Sequence, residues 1–224
     1  MQESQLTSEK RYTYSELEGS AKDRARQHYI EHWIIDDWYD SVYYDFKTEG
    51  TEKGFHIEDI KFSGFWSQGD GASWYGDVDM KVFIEKNLPE CIGRDCWLWL
   101  LQSGWVHDRL NIYQRGSHYA HSHTMSVGNI EVYADEDADD ILQLDCILKG
   151  APIGTLWNLI LADTACPIKR PEELEELVLT EARQYADEIY DGLREAYEYE
   201  CSDENISESY NINDQFFNEE GEVI

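Results

Sequence analysis

Apolar residues recur at helical spacing near both ends of the chain and at strand spacing between them. Residues up to about Lys10 are polar and read as a frayed, disordered start. Ser20 followed by Asp23 resembles a capping box, opening a helix that carries Ala21, Ala25, His28, Tyr29 and Trp33. Trp38, Val42 and Phe46 give a second helix, from about Asp36 to Thr48, that Gly50 and Gly54 stop. After Gly54 the period changes: Phe55, Ile57, Ile60, Phe62 and Trp66 suggest a strand bulged near Glu58. Beyond the turn Ser67-Gln68-Gly69-Asp70-Gly71-Ala72, alternation of Trp74, Val78, Met80, Val82 and Ile84 predicts a second strand, making a hairpin.

Asp95 to Gln102 reads as a short buried helix ended near Gly104, and a second hairpin is expected from Trp105 to Val127 around Arg115-Gly116-Ser117. Helix returns at about Asp137 to Leu148 and Thr155 to Ala162, before Pro167 and Pro171 interrupt the chain. Pro171 suits the first turn of the longest helix, Glu172 to about Tyr199, whose apolar face is Leu174, Leu177, Val178, Ala182, Tyr185, Ala186, Ile189, Leu193, Ala196 and Tyr197. Ser202 caps a last helix, and Phe216 to Ile224 reads as an edge strand. The expected fold class is α+β, with helices, an antiparallel sheet of about four strands, and a helical end carrying one long acidic helix. We expect a single domain over 11–224, in which 11–134 holds the first helices and the sheet and 135–224 the acidic helices.

Charge changes the picture from fold to partner. The 224 residues include 47 Asp plus Glu against 18 Lys plus Arg, a net charge of −29. From Pro171 to Ile224 there are 18 acids and two bases, Arg183 and Arg194, and Glu131 to Asp145 holds seven acids and no base. Such a field repels nucleic acid and anionic membranes and steers the protein toward basic protein surfaces. An aromatic content of 13% separates this acidity from that of a disordered tail. Cys91, Cys96, Cys146, Cys166 and Cys201 are odd in number and lack any C-x-x-C pair, so reduced thiols are expected rather than a disulfide framework or a structural zinc site. Met1 to Arg11 has no apolar core of a secretory signal, and no apolar run is long enough to cross a bilayer. The expected location is cytoplasmic.

Phe62-Ser63-Gly64-Phe65-Trp66-Ser67-Gln68-Gly69-Asp70-Gly71-Ala72-Ser73 resembles a motif in a family of largely uncharacterised phage and prophage proteins, some of them labelled antitoxin-like. His118-Tyr119-Ala120-His121-Ser122, Tyr14-Ser15-Glu16-Leu17, and the tail from Tyr197-Glu198-Tyr199-Glu200 to Phe216-Phe217-Asn218-Glu219-Glu220-Gly221 agree with the same family. The resemblance implies a phage-associated protein acting inside a bacterial host cell, and it brings no catalytic residues with it.

The candidate chemistry is correspondingly sparse. Phe65 stands where a nucleophile elbow around Ser67 needs glycine, which argues against serine hydrolysis. Asp70 is expected to satisfy amides of its own turn, and Trp66, Gln68, Asp70 and Trp74 to present a recognition surface. His121 and His123 share a strand face in H-x-H spacing, with His118 opposite. Together they are a weak metal site needing a further ligand, with His107 or Asp70 as candidates. The run from Asp135 fails as a calcium loop, because Asp140 and Cys146 occupy the places of its glycine and glutamate. No cofactor is implied.

The long helix offers Glu172, Glu173, Glu175, Glu176, Asp187, Glu188, Asp191 and Glu195, with Asp135, Asp139 and Asp140 as a second acidic block. Carboxylates three or four apart lie about 5–6 Å from each other, a spacing suited to imitating a phosphate backbone. The leading expectation is a non-enzymatic protein that occupies the nucleic-acid site of a basic host defence or DNA-processing protein. The alternatives are an antitoxin-like neutraliser gripping a toxin through Trp66 and Trp74, and a metal-dependent enzyme using His118, His121 and His123.

Overall fold

Leu174, Val178, Ala182, Tyr185, Ala186, Ile189 and Leu193 repeat every three or four residues, and all are buried along one 30-residue helix. The structure, a computed structural model, describes residues 10–34, 37–114, 120–130 and 153–224. Among them the order is α1 (Gly19–His32), α2 (Asp40–Glu52), β1 (Phe55–Phe62), β2 (Ala72–Asp79), α3 (Met80–Asn87), α4 (Ile92–Gln102), β3 (Arg109–Gln114), β4 (Met125–Val127), α5 (Ile153–Ala162), α6 (Pro171–Glu200) and α7 (Asp203–Ile212). The fold is α+β, with one antiparallel four-stranded sheet in the order β1-β2-β3-β4.

The chain divides into two compact units, Met1–Val42 with Gly192–Ile224, and Tyr43–Asp191. The first unit is built by both ends of the chain. Tyr14, Leu17, Ala25 and Tyr29 pack with Ile206, Tyr210 and Phe217. Asp203 gathers the Tyr14 hydroxyl at 2.8 Å and Lys22 Nζ at 3.0 Å. Ser202 caps α7 by accepting the Asn205 amide at 3.2 Å. The expected edge strand at the end of the chain is absent. Phe217 is instead fully buried and makes isolated bridges to Tyr12 and Val223.

The second unit holds the sheet. Phe55 sits 5.2 Å from Trp74 and 5.6 Å from Tyr185 by ring centroids, so β1, β2 and α6 share one aromatic core. The bulge falls between Ile57 and Asp59, as the lost alternation at Glu58 predicts. Gly54, at φ +91°, ends α2. Gly50 does not, because a Cβ there would come within 3.2 Å of Ile57 and 3.3 Å of Tyr185, so glycine serves close packing inside the helix.

The clearest correction concerns residues 80–84. They continue the apolar alternation of β2 on paper, yet they open α3, where Met80, Phe83 and Ile84 are buried at i, i+3 and i+4. Asp79 makes the break by accepting the Val82 amide at 3.1 Å as N-cap. In the second hairpin β4 is three residues long and is preceded by a 3-10 turn at Ser122–Thr124, so the expected strand from His118 is also corrected. The helix expected at about 137–148 lies outside the described residues.

Candidate partner-binding surfaces

Along α6 the exposed positions are Glu172, Glu176, Thr180, Gln184, Asp187 and Asp191, at steps of three or four, so they form one ridge in the second unit. Glu195 and Glu198 continue the same spacing where the helix enters the first unit, and Glu198 is exposed although it was not among the expected contact residues. Apolar positions between these acids turn the opposite stripe to the core, which leaves the carboxylates in water.

Three of the expected contact residues are instead occupied internally. Glu173 accepts the Lys169 amide at 2.7 Å and pairs with Arg170 at 3.0 Å. The amide bond, then the Arg170 guanidinium, holds its carboxyl below the ordinary range. Glu175 accepts the Ile130 amide at 2.6 Å, and Glu188 pairs with Lys53 at 3.1 Å. Arg183 points away from the ridge to donate to the Met125 carbonyl at 2.9 Å. Asp135, Asp139 and Asp140 lie outside the described residues.

The loop between β1 and β2 is braced from within. Asp70 Oδ2 accepts the Ser67 amide at 2.6 Å, as its place in the turn predicts, and the Asp70 amide donates to the Ser67 carbonyl at 3.1 Å. Ser63 Oγ donates to the Ala120 carbonyl at 3.2 Å, and Phe65 packs between Phe62 at 5.5 Å and Tyr190 at 5.7 Å. With Phe65 turned in, Trp66 and Gln68 face solvent, and Trp66 is 74% exposed. Trp74 corrects the expectation of a shared aromatic patch. It is 1% exposed, a core residue of β2. Because Tyr190 stands three residues after Asp187 and one before Asp191, the Trp66 loop lies beside the acidic ridge of α6.

The histidines do not share a strand face. His121 caps the 3-10 turn and His123 lies within it, with their rings stacked 4.7 Å apart and His121 Nδ1 accepting the His123 amide at 3.1 Å. One ring nitrogen is thereby committed to the turn. Gly71 admits this ring, since a Cβ there would lie 2.9 Å from it. Among the described residues no three His, Cys, Asp or Glu side chains converge as metal ligands. His118 lies outside the described residues.

One surface was not anticipated. On the outer sheet face a shallow groove of about 550 Å³ is lined by Glu58, Lys61, Tyr75, Asn111, Tyr113 and Gln114. Tyr75 and Tyr113 are the expected outward partners of the buried Trp74 and Ile112 in a two-residue period, so alternation carries the signal for them.

Comparison with protein families then places the chain. A model described as a domain of unknown function, DUF8835, matches residues 38–203. The chain belongs to the DUF8835 family. The matched span takes in the sheet, the Trp66 loop and all of α6, and it ends at Asp203, the first residue of α7. No curated protein and no solved structure gives a match. Among the described residues no helix is long and apolar enough to cross a membrane.

Proposed function

We propose that this DUF8835 protein is a non-enzymatic, phage-encoded binding protein that acts in the cytoplasm of an infected bacterium. In this reading it captures a basic host protein whose ordinary ligand is nucleic acid. The supporting observation is an α6 ridge that carries Glu172, Glu176, Asp187 and Asp191 and no exposed base, on a helix against which the loop bearing the exposed Trp66 packs through Phe65 and Tyr190. Carboxylates pair with Lys and Arg of the partner, and an exposed Trp on a braced loop supplies an anchor of the kind that dominates interface energies.

Magnitude limits the form of mimicry. Glu172 to Asp191 spans about 28 Å, so four charges give roughly one per 7 Å, against one per about 1.7 Å of duplex. The ridge is a sparse row of charges, matched to a few cations lining a groove rather than to a whole DNA footprint.

The test is displacement. The protein is used to retain nucleic-acid-binding proteins from host extract, and each retained protein is assayed for DNA binding with and without it. The expected result is loss of DNA binding that weakens when salt rises from about 0.1 to 1 M, which shortens the screening length from about 10 to 3 Å. The combined Glu172→Gln, Glu176→Gln, Asp187→Asn and Asp191→Asn variant should show the same weakening. Retention unchanged by salt and by that variant removes the electrostatic reading.

The exposure of Trp66 also supports a second reading, an antitoxin-like neutraliser held mainly by apolar contact. There Trp66→Ala abolishes capture while the four-residue variant binds normally.

A further inference from the structure

Two thiols meet at the first turn of α4. Cys91 is its N-cap, with Sγ accepting the Arg94 amide at 3.4 Å. Cys166 comes from the segment between α5 and α6 and presses on the same turn. A Cβ built on Gly93 would stand 2.5 Å from Cys166 Cβ and 2.8 Å from its Sγ. One turn of backbone therefore carries one sulfur as its cap and receives the other on its flank.

The surroundings hold this pair in register. The Asp163 carboxylate accepts the Gly93 amide at 2.8 Å and the Ala165 amide at 2.9 Å. Lys169 Nζ donates to the Ile160 carbonyl at 2.8 Å and to the Asp163 carbonyl. Both neighbours of the segment that bears Cys166 are thus tied to α4 or α5.

Exposure differs between the two sulfurs. Cys91 is half-buried, while Cys166 is 1% exposed and donates to the Ile168 carbonyl at 3.2 Å. Burial pushes the Cys166 thiol up. Cys91 stands at the N-terminus of α4, where solvent reaches its sulfur, so it is the thiol that a small disulfide can approach.

We propose that Cys91 and Cys166 are a thiol–disulfide modification site, in which Cys91 is the attacking thiol and Cys166 the resolving one. The oxidant is a low-molecular-weight disulfide such as glutathione disulfide. Cys91 thiolate attacks one of its sulfurs, forming a protein–glutathione mixed disulfide and releasing one glutathione thiolate. Cys166 then gives up its proton and attacks Cys91 Sγ, closing the protein disulfide and releasing the second glutathione. Two protein thiols are oxidised and one small disulfide is reduced to two thiols. In a reducing cytoplasm the pair rests as the dithiol, and a shift toward oxidised glutathione closes it. Closure links the start of α4 to the chain just before α6.

The experiment equilibrates the full chain in glutathione buffers from reducing to oxidising, blocks free thiols, and maps the peptides by mass spectrometry. The expected product is one Cys91–Cys166 linked peptide lacking two hydrogens, with Cys91 free of glutathione and the melting temperature raised until dithiothreitol reverses both. Cys166→Ser should instead leave Cys91 carrying a persistent glutathione, since no resolving thiol is present. The half-buried Cys201 of the other unit serves as an internal reference. Wild-type Cys91 holding glutathione without resolution, staying unmodified in oxidising buffer, or linking to Cys96 or Cys146 overturns the proposal. The wild-type map decides the matter even where the variant fails to fold.

Discussion

The indole nitrogen of Trp74 donates to the backbone carbonyl of Ala182 at 3.1 Å, a buried bond that pins β2 to the middle of α6. A carbonyl already used within a helix thus takes a second donor, and the indole ring packs on Phe55, which packs in turn on Tyr185. Trp74→Ala should cost about 3–5 kcal/mol, the usual range for emptying a buried Trp site. Trp66→Ala, on the exposed loop, should change stability by no more than about 0.5 kcal/mol. Urea denaturation of the two variants distinguishes them, and equal losses would mean that Trp66 is packed in solution.

Asp70 controls how Trp66 is presented. Its carboxylate accepts the Ser67 amide at 2.6 Å across the turn, and a Cβ built on Gly64, whose φ is +110°, would lie 3.4 Å from the same carboxylate. Asp70→Ala removes the acceptor and should cost about 1 kcal/mol, as losses of capping and turn bonds do. Faster amide exchange at Ser67, with the sheet amides of β1 and β2 unchanged, is the expected signature. Uniform acceleration across the sheet would show that the loop is not a separate unit.

Gly93 stands inside α4, where glycine weakens a helix by about 1 kcal/mol relative to alanine. Here alanine should be worse. Its methyl group would meet Cys166 Cβ at 2.5 Å, so either α4 or the segment after α5 must move. Gly93→Ala is expected to lower stability by about 1–3 kcal/mol, in the range of overpacking, where propensity alone predicts a gain. A raised melting temperature would show that the Cys166 segment gives way freely.

What the sequence displays depends on whether one local signal dominates. In α6 the apolar repeat runs from Leu174 to Leu193 behind Pro171, and period, the proline at the first turn and the acids Glu172 and Glu173 beside it agree. At residues 80–84 the hydrophobic pattern fits a strand or a helix, and the single Asp79 cap decides between them through a bond that composition does not weight. The acidic ridge is legible as charge but not as surface. Glu173, Glu175 and Glu188 look like Glu172 and Glu176 in sequence, and only the positions of Lys169, Ile130 and Lys53 show which are occupied. The joining of Tyr14 and Tyr29 to Tyr210 and Phe217 is a long-range contact with no local signature.

Acid should act on the first unit through Asp203. Hydrogen bonds from Lys22 and then Tyr14, together with the charges of Lys22 and Arg26, hold its carboxyl below the ordinary 3.8. A carboxyl depressed on folding contributes stability that is complete above its unfolded value and is lost as pH falls through the lower folded value. The contribution is therefore present at neutral pH and fades only below about 4, and half-exposure of the side chain keeps it modest. Lowering pH also neutralises part of the −29 charge and relieves self-repulsion, which acts in the opposite direction on the whole chain. The difference between wild type and Asp203→Asn isolates the local effect, because both share the global one. Denaturation from pH 7 down to 3 should show that difference constant at first and then shrinking below about pH 4, with the fluorescence of Trp33 reporting the first unit. A difference that grows on acidification would mean that Asp203 is not ion-paired in solution.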